Sequence, residues 1–151
     1  MEAAVVNCFI EGAFHILSTS ASVKVKPEKP YARKGGKAHG EITGLMNIEG
    51  DINGTASVSF TEKSILAIVS TMFGEEMTTL DEEITDAVGE IGNMISGHVN
   101  TKLTEMGKSV KVKLAGVKEG KGHDAGHDST KEIMVFPFRT TKGNLWVEVC
   151  Y

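Results

Sequence analysis

The sequence is poor in the residues that mark common kinds of site. Its 151 residues include two cysteines, Cys8 and Cys150, at opposite ends of the chain. Two distant cysteines exclude a disulfide scaffold and lack metal-ligand spacing, so reduced cytoplasmic thiols are expected. The sequence also lacks a phosphate-binding glycine loop, a Ser/His/Asp set and a Cys-x-x-Cys pair.

Long hydrophobic runs and a basic excess are also absent. No uninterrupted apolar run approaches the roughly 20 residues that cross a membrane. The acidic Glu2 and the missing basic start argue against a signal peptide. Lysine and arginine number 16 against 20 acidic residues, a net charge of −4, whereas nucleic-acid binding favours a basic surface. These features predict one cytoplasmic domain over residues 1–151, with no membrane or nucleic-acid partner.

Proline is scarce, but glycine is abundant. The three prolines do not fit a linker, whereas the 17 glycines are about 11% of the chain, against roughly 7% in an average protein. We therefore expect glycines in turns and where another backbone approaches closely.

Apolar periodicity predicts three helices. They cover residues 2–17, 62–73 and 81–106. Thr61 and Gly74 have the residue types that start and stop the second helix. Thr79 and Glu82 have the spacing of a capping box before the third.

Strand patterns complete an order of elements that occurs twice. Strands are predicted at 22–26, 40–48, 54–60, 109–113, 132–138 and 144–150, with polar loops at 27–36 and 118–131. The string Ser-Val-Lys-Val-Lys follows both the first and the third helix. The pseudo-repeats, about 2–60 and 81–151, predict an α/β (α+β) fold built from a duplicated helix-plus-three-strand unit. The expected result is a roughly six-stranded, mostly antiparallel sheet covered by helices.

The third helix has one apolar and one polar side. The predicted buried stripe is Ile84, Val88, Ile91, Ile95, Val99 and Met106. The opposite side has Asp86, Glu90, Asn93, Gly97, Asn100 and Thr104. Glu90 and Asn93, at i and i+3, therefore project together into solvent. Most exposed glutamates and asparagines have no function, so this spacing alone assigns none.

Glycines flank that pair. A glycine inside a helix costs roughly 1 kcal/mol relative to alanine, yet the third helix contains Gly89, Gly92 and Gly97. Gly92 lies nearer the buried side, where it permits close packing. Gly89 and Gly97 lie on or near the exposed side, which is expected of a surface that admits another protein's backbone.

The segment from Glu90 to Asn100 resembles the signature helix of the CheC/CheX/FliY family of chemotaxis phosphatases. That signature is Glu-x-x-Asn, then a small or polar residue, then a further asparagine, and it matches Glu90, Asn93, Gly97 and Asn100. The family is built on a duplicated helix-plus-strands unit, so the resemblance covers nearly the whole chain.

The first helix lacks half of the signature. Aligning Asn7 with Asn93 puts Ala4 at the position of Glu90 and Glu11 at that of Gly97. One complete motif in a chain of this length resembles the CheX branch, and it implies one active site per chain.

The resemblance implies hydrolysis of the aspartyl phosphate on a CheY-type response regulator. Asn93 would orient the attacking water and Glu90 would pair with a lysine of the partner, since this transfer needs mainly positioning and charge stabilisation. Asp86, Gly89, Gly97 and Asn100 are the expected partner-binding residues. No metal or cofactor of its own is expected, because the phosphorylated receiver domain would carry the divalent ion, Mg²⁺. The alternative is a non-catalytic adaptor that binds a phosphorylated receiver or the flagellar switch.

Other candidates have weaker patterns. His123 and His127 occur with two aspartates within 122–128, for which a mobile loop is favoured over a metal site. His15 and His98 are interpreted as packing or surface residues, and the basic stretch 24–37 as a solvated loop.

The resemblance also implies a homodimer formed by joining sheets. Trp146 either marks an exposed apolar sheet edge or lies in the core, and its pattern does not decide between them.

Overall fold

The computed structural model describes residues 2–151, which form three helices and seven strands. The helices are α1 (Ala3–Ser20), α2 (Glu62–Phe73) and α3 (Glu82–Glu105). The strands are β1 (Lys26–Pro27), β2 (Tyr31–Lys34), β3 (Ile42–Gly50), β4 (Gly54–Phe60), β5 (Val110–Glu119), β6 (Glu132–Thr140) and β7 (Gly143–Cys150).

The strands form one antiparallel sheet in the order β1-β6-β7-β4-β3-β5, with β2 also paired to β6. This confirms the predicted fold class, with seven strands where about six were expected. The order is unchanged when β1 is exchanged with β5, β3 with β6 and β4 with β7. A duplicated unit would produce such symmetry.

The first half departs from the predicted strand pattern. The strand expected at 22–26 is reduced to β1, because the amide of Val23 bonds the carbonyl of Leu17 at the end of α1. The loop expected at 27–36 contains β2, which pairs with β6. The matching string at 109–113 does lie in a strand, β5, whose pairing with β3 continues to Glu119.

One face of the sheet is apolar and is covered by the helices. Alternate residues of β4 and β7 point into this core, including Val58, Phe60 and Val147. By length and composition α1 resembles a membrane-crossing helix. Its buried side instead packs into the core through residues such as Phe9 and Leu17.

The opposite face is polar, and residues 120–131 cover part of it. His123 bonds Thr43 Oγ1 through Nε2 at 2.7 Å. His127 bonds Thr55 Oγ1 at 2.6 Å and Ser57 Oγ at 3.0 Å. The expectation of a mobile loop is therefore wrong, because its histidines bond the hydroxyls of the strands beneath.

Trp146 lies in β7, between β6 and β4, and does not mark a sheet edge. Its ring stacks on His39 with centroids 5.1 Å apart. It is half-buried against a small cluster of Ile133, Val135 and Cys150. The structure therefore favours the interpretation as a packed residue.

Candidate functional site

The N-cap of helix α3 lies two residues later than the capping box predicts. Asp81, not Thr79, is the N-cap, and its carboxylate accepts bonds from the amides of Glu83 and Ile84 at 3.0 and 3.3 Å. A carboxylate here satisfies free amide groups and suits the positive end of the helix dipole. The start of the helix is thereby fixed, about three turns before Asn93.

The apolar stripe holds α3 to the core. Five of the six predicted residues are buried: Ile84, Val88, Ile91, Ile95 and Val99. Leu103 is buried as well, whereas Met106, predicted to join the stripe, caps the helix and is 41% exposed. Full burial of each large aliphatic side chain contributes about 1.5–3 kcal/mol. The opposite side of α3 is thus presented by a firmly anchored helix.

Glu90 and Asn93 lie together on the exposed side of α3, as predicted. Within residues 2–151, the side-chain hydrogen bonds made from α3 itself come from Thr85, Asn100 and Thr101. The carboxylate of Glu90 and the carboxamide of Asn93 are therefore free to bind an external group. Asp86 is also exposed, one turn before Glu90.

The three glycines of α3 have different surroundings. A Cβ at Gly97 would have no atom within 4 Å, so this glycine borders open solvent. A Cβ at Gly92 would lie 2.8 Å from Leu114 Cδ1, which confirms close packing against β5. Gly89 is half-buried, and a Cβ there would lie 3.7 Å from Leu114 and Val117, so this glycine is at the border of the exposed side and less open than Gly97.

Asn100 is not on the open surface either. Its Nδ2 donates to the carbonyl of Val112 and its Oδ1 accepts from the amide of Val112, both at 2.8 Å. Val112 lies on β5, the terminal strand of the sheet path. The side chain therefore ties α3 to the outer edge of β5, with both of its polar ends engaged inside the fold.

An open groove of about 370 Å³ runs between α2 and α3 beside Glu90. Met72, Phe73 and Ala87 provide its apolar lining, and Glu83, Asp86 and Glu90 its acidic lining. Phe73, the last residue of α2, is 49% exposed. Sequence periodicity missed this groove, because it placed Phe73 within the helix but said nothing of how α2 and α3 lie together.

The segment that lines the groove has acidic residues but no lysine or arginine. The segment 64–101 has no lysine or arginine. Its seven acidic residues are Glu75, Glu76, Asp81, Glu82, Glu83, Asp86 and Glu90. The salt bridges among residues 2–151 do not involve any of them. These seven negative charges exceed the net charge of −4 of the whole chain, so the remainder of the chain has a net positive charge.

The matching face of α1 lacks the Glu–Asn pair of α3. Ala4, Asn7 and Glu11 are all exposed on α1. Asn7 therefore has the solvent access of Asn93, but the residue one turn earlier is alanine where α3 has Glu90.

A buried ionic cluster lies on the polar face of the sheet, away from α3. Glu148 is fully buried, and its Oε2 accepts a bond from Arg33 at 2.7 Å. Burial opposes its ionisation, yet hydrogen bonds from His127 and Arg33 hold the pKa of Glu148 below its usual value. Burial also lowers the pKa of His39, which lies 3.7 Å from the same carboxylate. This cluster lies on the face opposite the candidate site.

The fold has close structural counterparts. A CheC-like superfamily protein from Shewanella sp. PV-4 has a TM-score of 0.91 and 33% identity, covering 99% of this chain and 98% of the other. The chemotaxis protein CheX of Vibrio vulnificus has a TM-score of 0.88 and 37% identity, covering 98% and 99%. The fold is that of a CheC-like protein.

Sequence comparison specifies the family. The model of the family described as chemotaxis phosphatase CheX matches residues 42–139. The CheY-P phosphatase CheX of Thermotoga maritima is 30% identical over 122 residues, covering 80% of this chain and 79% of that protein. The chain belongs to the CheX family of chemotaxis phosphatases.

A more distant neighbour has the same fold. It is the Borrelia burgdorferi CheX in the CheX-CheY-BeF3-Mg²⁺ complex, with a TM-score of 0.75, 19% identity and coverage of 97% and 96%.

Proposed function

We propose that this protein hydrolyses the aspartyl phosphate of a CheY-type response regulator. The observation that carries the proposal is the pair of exposed, unbonded side chains of Glu90 and Asn93, one turn apart on an anchored helix. The names of the relatives support the substrate, since one is a CheY-P phosphatase and another forms a complex with CheY, BeF3 and Mg²⁺.

Asn93 orients the attacking water. A carboxamide both donates and accepts hydrogen bonds, so it holds a water in line with the phosphorus atom. Phosphoryl transfer through a loose transition state needs little more than such positioning and charge stabilisation. The partner supplies the acyl phosphate and the Mg²⁺ that neutralises it.

Glu90 docks the partner. Its free carboxylate pairs with a lysine beside the phosphoryl group through a charge-assisted hydrogen bond. Gly97 leaves the helix surface open for the partner's backbone, and Asp86 extends the acidic surface toward α2. Asn100 acts instead by bonding α3 to β5, and Gly89 lies at the half-buried border of the same surface.

We place the protein in the cytoplasm, where two-component receivers are found, and propose a homodimer that leaves the α3 surface free.

A turnover assay separates this function from that of an adaptor. Protein at one-twentieth of the concentration of a phosphorylated receiver should shorten the receiver's phosphate lifetime through many cycles. Glu90→Ala should reduce binding of the phosphorylated receiver. An adaptor would bind equally well but leave the lifetime unchanged or prolong it, and that result would reject the phosphatase function.

A further inference from the structure

The groove between α2 and α3 has features that the hydrolysis itself does not use. Asn93 orients the water and Glu90 pairs with the partner's lysine. Neither role needs a half-exposed aromatic ring at the end of α2. Phe73 is one of four large hydrophobic residues exposed within residues 2–151. It is the one that lines the groove containing Glu90. A hydrophobic side chain beside a functional residue points to protein contact.

The acidic residues in and beside the groove indicate the charge of the partner's surface. Glu83, Asp86 and Glu90 line the groove. Glu75 and Glu76 follow directly after the α2 end that presents Phe73. With no cation in segment 64–101 to neutralise them, these carboxylates favour a basic partner surface. The same field disfavours an acidic surface, which makes the groove selective.

We propose that the α2–α3 groove is the surface that selects the cognate receiver. Its occupant is an apolar side chain of the receiver, flanked by lysine or arginine, beside the phosphorylation site. Phe73 and Met72 bury that side chain, and the acidic lining pairs with the basic flank. The inference rests on the proposed function, because Glu90 places the groove at the edge of the same contact.

The roles of Phe73 and Asn93 differ in kinetic terms. Phe73 contacts the partner equally before and during the transfer, so its loss raises KM and leaves kcat unchanged. Asn93 acts in the transition state, so its loss lowers kcat. An aromatic anchor in an interface accounts for a tenfold or greater change in affinity.

Phe14 provides a matched control. It is 48% exposed on α1, against 49% for Phe73, and it lies outside the groove. The experiment measures binding and turnover of Phe73→Ala and Phe14→Ala with a receiver domain loaded with phosphate or with BeF3 and Mg²⁺. Phe73→Ala should raise Kd and KM tenfold or more with kcat unchanged, while Phe14→Ala should match the wild type. Unchanged melting temperatures establish that both variants fold.

The charge component is tested separately. The double variant Glu83→Gln, Asp86→Asn should bind less tightly at low salt and should show a weaker dependence of Kd on ionic strength. Glu49→Gln, which removes an exposed carboxylate outside the groove, should leave both unchanged.

Three outcomes would overturn the inference. Equal affinities for Phe73→Ala and Phe14→Ala, with turnover intact in both, would reject the groove while leaving the phosphatase function standing. Conversion of a dimer to a monomer by Phe73→Ala would assign the groove to a second copy of this chain. Wild-type protein that neither binds the receiver nor speeds its dephosphorylation would reject the proposed function and the inference together.

Discussion

Gly97 lowers the stability of α3 but leaves the surface of the helix smooth. A glycine inside a helix is unfavourable by about 1 kcal/mol relative to alanine. No neighbouring atom explains its presence, since a Cβ there would have none within 4 Å. The smooth surface it leaves lies one turn beyond Asn93, where a docked protein would approach.

Replacing Gly97 should therefore have opposite effects on stability and binding. Gly97→Leu should raise the free energy of unfolding by about 0.5–1 kcal/mol and weaken binding of the phosphorylated receiver. Urea denaturation and a binding titration measure the two effects. Thr104→Leu, which adds a similar side chain two turns farther along, is the control. Binding as tight as that of the wild type in Gly97→Leu would show that this surface is not part of the contact.

Single residues were predictable where the helix alone sets their direction. The exposure of Glu90, Asn93 and Gly97 follows from their angle around α3, and it was predicted correctly. Asn100 was misassigned and Gly89 is less exposed than Gly97, because β5 passes beside that flank of the helix. A helical wheel describes one helix only, so it does not include a neighbouring strand 12 residues away in sequence.

At the scale of elements, the bond between α3 and β5 sets the position of the site. Asn100 uses both ends of its carboxamide on the backbone of Val112. It satisfies an amide and a carbonyl on a terminal strand, where unpaired groups invite pairing with another chain. The same bonds fix the rotation of α3 about its axis.

Removing this tie should destabilise the protein. Asn100→Leu loses two hydrogen bonds and leaves the backbone groups of Val112 unpaired, so the free energy of unfolding should fall by about 2 kcal/mol. Asn100→Asp keeps only the acceptor, so its free energy of unfolding should fall by less at the same pH. Chemical denaturation measures both. A Leu variant as stable as the wild type would contradict the role assigned to Asn100.

At the scale of the whole molecule, the two faces of the sheet have different roles. The apolar face carries α3 and the candidate site, whereas the polar face contains Glu148, Arg33 and three histidines, His39, His123 and His127. The ionic cluster should therefore control pH stability without entering the reaction.

The direction of the pH effect follows from the two lowered pKa values. Burial lowers the pKa of His39 from 6.5, so below about pH 6.5 the unfolded chain binds its proton first and stability falls. The lowered pKa of Glu148 gives a contribution that is present above about pH 4.5 and is lost as pH falls through the folded-state value. The melting temperature should thus decrease on acidification, first through His39. His39→Gln should reduce the fall of the melting temperature between pH 7 and pH 5. If the melting temperature of this variant falls as steeply as that of the wild type, another group causes the loss of stability.

The fold was predictable to a large extent because its main signals are local. The bounds of α2 and β4 follow from periodicity and turn residues, and they agree with the sequence prediction residue for residue. The segment 22–26 was not predictable, because it has the same letters as 109–113 but its backbone bonds the end of α1. The groove at Phe73 and the cluster at Glu148 depend on contacts between distant segments, which no local pattern contains.

The central claim is that Asn93 positions the water that hydrolyses the receiver's aspartyl phosphate. The decisive measurement is the decay of a phosphorylated CheY-type receiver with substoichiometric wild type, Asn93→Ala and Asn7→Ala. Asn7 is the matched control, since it is equally an exposed asparagine, on α1. We predict a fall in kcat of about 100-fold for Asn93→Ala, or roughly 3 kcal/mol of transition-state stabilisation, with receiver affinity retained and Asn7→Ala unaffected. Undiminished turnover in Asn93→Ala would contradict the account.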